Sequence, residues 1–374
     1  MREVSMRGRK PSLFGAALLS AAAAFVLTTS LAGQTQPAAS KAAASSSALP
    51  RTPDGHVDLQ GTYDVATLTP IERPRSANGK LTMTDKEAGT IENAERKRVY
   101  DRALPSAADR DAPPIGAPVG GYNNFWIDRG STVIRVDNTP RTSLVIDPPD
   151  GKIPALTAEA QKRITQQFRN GPNADANEEN NQNVFRLDPD AYNDPEQRPL
   201  GERCLLGFGS TSGPPTLPNY FYNNLKQIVQ TPQNIMILVE MDHDARIIRM
   251  NQPHLPPTIR KWMGDSVGHW EGDTLVVDTT NFTNKTRFRG STDNLHVIER
   301  FWRVDAKTLM YRFTIEDPHT WTTAWTGEYP WPSTDQPIYE YACHEGNYAL
   351  ADILRGARAA EQRGDFDKKT EEKK

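Results

Sequence analysis

Residues 228 to 342 form an almost unbroken succession of short apolar segments separated by turn-forming residues, and this pattern limits the possible folds more than any other feature of the chain. The strand candidates are LKQIVQ, NIMILVEM, ARIIRM, TLVVDTTNF, LHVIERFWRV, TLMYRFTIED, TWTTAWTGEY and IYEYAC. Eight such segments in a row predict an antiparallel meander. A sheet of that size hides its edges by closing into a barrel or folding into a sandwich. The expected fold is mainly β, a meander closing into a lipocalin-like barrel, preceded by an α+β N-terminal portion with two short helices. In TLMYRFTIE, side chains alternate between the two faces of a strand. Leu309, Tyr311, Phe313 and Ile315 are therefore assigned to the core, and Met310, Arg312, Thr314 and Glu316 to the opposite face.

The start of the chain predicts export. Arg2, Arg7, Arg9 and Lys10 precede an apolar run from Leu13 to Leu27, and Ser30, Leu31 and Ala32 follow as a small-x-small cleavage site. The run is shorter than the ~20 residues that span a bilayer. Gln34 stands after LAG where a lipoprotein carries its acylated cysteine. These features place the mature protein in the periplasm or outside the cell, with no stable membrane anchor. The expected division is a signal peptide (1–32), a flexible linker (33–48), an α+β portion packed on the barrel (49–200), the barrel-like portion (201–355) and a charged tail (356–374).

Lys and Arg number 44 against 47 Asp and Glu, and the two signs are interspersed. No basic stripe follows a phosphate backbone, so nucleic acid is not an expected partner. The two cysteines, Cys204 and Cys343, are expected to pair in an oxidising compartment, two free thiols being the alternative.

Within the N-terminal portion, Pro53, Asp54 and Gly55 predict a turn before a strand over Leu59 to Val65. Thr84 and Glu87 predict a capping box opening a helix that runs to Val99. TVIRV and TSLVID predict a hairpin about Asn138 and Pro140. Thr157 predicts the cap of a second helix ending near Phe168. From Asn170 to Gly201 the Asn, Asp and Pro content predicts a long loop.

The candidate chemistry is concentrated in PHLPPTIRKWMGDSVGHWEGDTLVVDTTNF and its neighbours. His254 lies between prolines that limit backbone freedom and hold an imidazole in place. With Asp265 or Glu271 assisting, His254 or His243 is a candidate general base. The alternative for His243, beside Glu240 and two aspartates, is a solvated turn. Ser266 in GDSVG lacks the spacing and context of a hydrolase nucleophile. Trp262 and Trp270, placed with Glu271 about a hairpin turn, are candidates for binding a sugar or an aromatic ligand. Glu240 with Glu299, or Glu271 with Asp278, are candidate acid pairs for work on a glycosidic bond. On LHVIERFWRV, His296 and Arg300 share a face with Trp302. A buried Arg300 would take Asp278 as partner or bind a ligand carboxylate. No HExxH, CxxC or EF-hand loop is present and the seven histidines are scattered, so no metal site and no cofactor are expected.

The blocks RTPDGHVDLQGTYD, RTSLVIDPPDGKIPALT, HLPPTIRKWMGDSVGHWEGDTLVVDTTNF, LHVIERFWRV and EYACHEGNY together resemble a family of exported bacterial proteins without an assigned reaction. The resemblance spans Arg51 to Leu354. Related sequences read GRPHP where this chain has NQPHL, which keeps His254 and loses a glycine.

The function expected from these features is binding of a small amphipathic, aromatic or sugar-like ligand in the barrel mouth. The first alternative is a metal-independent hydrolase or lyase with a histidine base. The second is a structural or interaction protein of the envelope, marked by a lumen filled with bulky side chains.

Overall fold

The computed structural model describes residues 49–104, 127–169, 192–208, 211–220, 222–286 and 288–363. The expected signal and linker segments, most of the loop from Asn170 and the end of the charged tail lie outside these residues. In chain order the first elements are β1 (Gly61–Asp64), α1 (Asp85–Ala103), β2 (Arg135–Val136), β3 (Thr139–Pro140), β4 (Val145–Asp147) and α2 (Ala158–Arg169). The main run follows: β5 (Leu225–Gln230), β6 (Asn234–Val239), β7 (Ala245–Met250), β8 (Asp265–Glu271), β9 (Thr274–Thr280), β10 (His296–Arg303), β11 (Thr308–Glu316) and β12 (Trp325–Pro332). A last helix, α3, covers Tyr348–Gln362.

Ten strands form one sheet in the order β1-β5-β6-β7-β8-β9-β10-β11-β12-β4. It curls into a lipocalin-like half-barrel, and β1 at one end meets the chain leaving β12 where Tyr63 bridges Ser333 and Thr334 N donates to Thr62 O at 2.9 Å. The sheet draws β1 and β4 from before residue 200 and the remaining strands from after it.

Several local rules act as expected. Thr84 and Glu87 close a capping box on α1, and the Thr157 hydroxyl accepts from Ala160 N at 3.0 Å at the start of α2. β2 and β3 pair across Asp137 and Asn138, both at positive φ, but the expected hairpin of TVIRV with TSLVID does not form, since the strand of TSLVID, β4, pairs with β12 instead.

Three differences from expectation bear on the site. First, β7 and β8 run parallel, so the meander is broken once. A parallel neighbour requires a crossover of about a dozen residues or more, and residues 251–264 supply it. Second, DSVGHWE is a strand, β8, although its composition does not read as one. Third, IYEYAC adds no strand. The chain leaving β12 crosses to β1 through the Ser333 bridge, and Cys343 is drawn to Cys204 in a disulfide with Cα atoms 5.7 Å apart.

The inner face of the barrel is filled. Leu309, Tyr311, Phe313 and Ile315 are fully buried, and Phe301, Phe313, Trp325, Tyr329 and Trp331 form ring contacts along the same face. A polar cluster lies among them. Arg246 Nη2 donates to Glu299 Oε1 at 3.0 Å, and the Tyr311 hydroxyl donates to the same oxygen at 2.7 Å. Residues 212–219 are buried throughout and reach this interior. Thr216 N donates to the Tyr311 hydroxyl at 3.0 Å, and the Tyr329 hydroxyl donates to Thr216 O at 2.6 Å. Buried hydroxyls need such partners, and the inserted segment provides them.

Candidate functional site

The crossover between β7 and β8 lies against the outer face of the barrel. Asn251 turns the chain out of β7 with φ at 53°, a left-handed conformation that asparagine tolerates better than most residues. Asn251 N donates to Gly268 O at 2.7 Å and Arg249 Nη2 donates to Pro253 O at 3.1 Å. His254 is thereby set over β8 and β9.

A ladder of alternating carboxylates and imidazoles results. His254 Nδ1 lies 3.1 Å from Asp265 Oδ2, and its Nε2 lies 3.0 Å from Asp278 Oδ1. The second oxygen of Asp278 is 3.1 Å from His296 Nε2, and His296 Nδ1 is 3.0 Å from Glu316 Oε2. Register explains the alignment. Asp278 sits opposite Val267 and Ile298, and His296 opposite Glu316, all pointing away from the buried Val277, Val297 and Ile315.

Each ring nitrogen faces a carboxylate, and at His296 this favours the doubly protonated imidazolium. The hydrogen bond to Asp278, working against burial and helped by Glu316, raises the pKa of His296. Burial alone would raise Asp278 and Asp265. The two histidines outweigh it at Asp278, whose pKa is lowered. At Asp265 the amide of Leu255, His254, Arg249 and Lys261 together do the same.

Both nitrogens of His254 are therefore engaged, and Asp265 accepts from Arg249 (2.8 Å), Leu255 N (2.9 Å), His254 (3.1 Å) and Lys261 (3.4 Å). Ser266 points the other way, into the barrel, where it bonds Thr279 at 2.9 Å. As it stands, the ladder pins the crossover to the sheet and presents no unengaged base beside a nucleophile.

The remaining candidates fall into separate groups. Glu271 bonds Arg300 and His269 on the exposed outer surface, which lowers the Glu271 pKa, the Arg300 bond contributing most. Arg300 is thus neither buried nor paired with Asp278, because its register partner across the strands is Val276. Trp270 stacks on His56 with ring centroids 4.7 Å apart. Trp262 is not at the hairpin turn with Trp270, since that turn is made by Gly272 (φ 59°) and Asp273. It lies in the crossover, where its carbonyl accepts from the Thr286 hydroxyl. Glu299 faces the interior with Arg246, apart from Glu240, and the Glu271 carboxylate is tied to Arg300 rather than placed with Asp278.

Glu240 and His243 belong to a different part of the surface. The tight turn after β6 puts Asp242 and His243 at φ 57° and 45°. Glu240 accepts from Tyr339 N at 3.2 Å and from Leu225 N at 3.4 Å. It forms part of a half-open cleft of about 650 Å³ at the barrel end, whose walls include Asp64, Asp128, Tyr222, Tyr339 and Tyr341. Burial, strengthened by Asp128, raises the Asp64 pKa. Directly behind the wall, Lys226 is fully buried with no hydrogen-bond partner for its Nζ. Burial pushes the Lys226 pKa down to about 7, against the opposing pull of Glu240, Asp244 and Asp64. Asp242 is also buried, with both oxygens unpartnered, and burial with the Asp244 charge pushes its pKa up to about 6.

Of this cleft, the sequence reading had only Glu240. The available signal was the pair of tyrosines in IYEYAC, which strand alternation explained equally well. Among the described residues no group of three or more His, Cys, Asp or Glu is placed to hold a metal ion, and no helix is long and apolar enough to cross a membrane. Comparison with family models, with curated proteins and with solved structures finds no match to this chain.

Proposed function

We propose that this is an exported protein that binds a small amphipathic, aromatic or sugar-like ligand at the mouth of its barrel, in the cleft beside Glu240. The observation that carries the reading is the cleft itself: about 650 Å³, half-open, with tyrosine rings and amide or carboxylate groups in its walls. Small-molecule sites combine concavity, aromatic surface and a few convergent polar groups in this way. The disulfide suits an oxidising compartment.

The test is to fill the cleft. Ala342 is exposed at its rim, so Ala342→Trp should leave the fold intact and occlude the space. A small molecule that co-purifies with the wild-type protein, seen by native mass spectrometry, should be absent from the variant. Retention of that molecule by Ala342→Trp at wild-type stoichiometry rejects the cleft as the site.

A second reading, a structural or interaction protein of the envelope, draws support from the filled lumen, since the inner aromatic residues and the segment 212–219 leave the interior occupied by the chain's own groups. It predicts a protein partner recovered from cross-linked envelopes and no small molecule in the cleft.

A further inference from the structure

Taking the cleft as the binding site, and so resting on the reading above, we infer that its ligand is a cation, an organic ammonium or guanidinium held among carboxylates and tyrosine rings. Asp64, Asp128, Glu240 and Glu340 all line the cleft, and its described lining contains no Lys, Arg or His. Tyr222, Tyr339 and Tyr341 supply the aromatic surface, Tyr222 and Tyr341 lying stacked with centroids 6.4 Å apart. Ring faces and carboxylates attract the same kind of guest, one through the quadrupole and the other through full charge.

A second observation points the same way. Asp242, in the turn that follows Glu240, is buried with neither carboxylate oxygen hydrogen-bonded, and its charge acts on the Tyr341 hydroxyl in the cleft wall. The basic side chains nearby are Lys226 behind the wall and His243 and His344 beside Asp242. These are outnumbered by the six carboxylates of Asp64, Asp128, Glu240, Glu340, Asp242 and Asp244. Asp64 and Asp128 repel each other across the site. A cation bound between them relieves that repulsion, whereas an anion adds to it, and a neutral guest gains only the ring contacts.

The experiment compares three probes of one shape on the full chain by saturation-transfer NMR: 2-phenylethylammonium, 2-phenylethanol and 3-phenylpropanoate. The ammonium should bind about tenfold more tightly than the alcohol and the carboxylate should bind least. Raising the salt should weaken the ammonium alone. Asp128→Asn combined with Glu340→Gln, both exposed positions, should cost the ammonium about fivefold and leave the alcohol unchanged. Equal binding of ammonium and alcohol, with both lost in Ala342→Trp, overturns the cationic ligand and leaves the mouth standing as a site. Binding of none of the three in the millimolar range, or binding indifferent to Ala342→Trp, overturns both.

Discussion

His254 Nε2 and Asp278 Oδ1 lie 3.0 Å apart, joining the crossover to the middle of the barrel wall. The contact bridges 24 residues of sequence and belongs to a ladder running from Asp265 to Glu316. Three of its groups, His296, Asp265 and Asp278, give it a defined response to pH.

The His296 pKa is raised on folding, so its contribution to stability is complete below about 6.5, the unfolded value, and is lost as pH rises through the folded one. Asp265 and Asp278 are lowered, so theirs is complete above about 4 and is lost as pH falls through their folded values. The ladder thus holds best between roughly pH 4 and 6.5. Thermal unfolding of the wild-type protein followed across pH should show an alkaline decline that is shallower in His296→Gln. An identical decline in both proteins would remove His296 as its source.

Glu299 and Arg246 are paired inside the barrel, where removing one partner leaves a buried charge alone. Glu299→Ala should cost about 3–5 kcal/mol in urea unfolding. Glu271→Ala, which breaks the exposed surface pair with Arg300, should cost far less than Glu299→Ala. Comparable losses from the two substitutions would contradict the burial assigned to them.

Lys226 carries the opposite burden. With its pKa pushed down to about 7, the protein must release a proton on folding anywhere between that value and the unfolded one, and below about 7 the folded state holds a charge it cannot solvate. Lys226→Met should therefore stabilise the protein by about 1–4 kcal/mol at pH 6, and by less at pH 9. Equal denaturation midpoints for variant and wild type at pH 6 would show that the amine is well accommodated.

Much of the barrel was legible because strand alternation and capping are written in neighbouring residues. Tyr311, Phe313 and Ile315 declare their face by spacing alone, and Thr84 with Glu87 marks a helix start. β8 was hidden for a packing reason. Its inward positions include Ser266 and Gly268, and a Cβ at Gly268 would come within 2.8 Å of Ile248 and 2.9 Å of Met250 on the parallel neighbour. The close approach that makes the strand possible removes the apolar side chain that would have announced it. IYEYAC failed the other way: it has the alternation of a strand, but its residues line the cleft and carry Cys343 to Cys204.

The residue types of the candidate chemistry were all visible, but their grouping was not. The sequence by itself determined the β-rich character, the alternation that fills the core and the helix caps, because each depends on contacts within a few residues. Only the tertiary structure decided that His254, Asp278 and His296 meet while Glu271 keeps to Arg300, and that Tyr222, Glu240 and Tyr341 enclose a cleft. Those meetings depend on strand register and on the direction of one crossover, which are settled by the packing of the whole sheet.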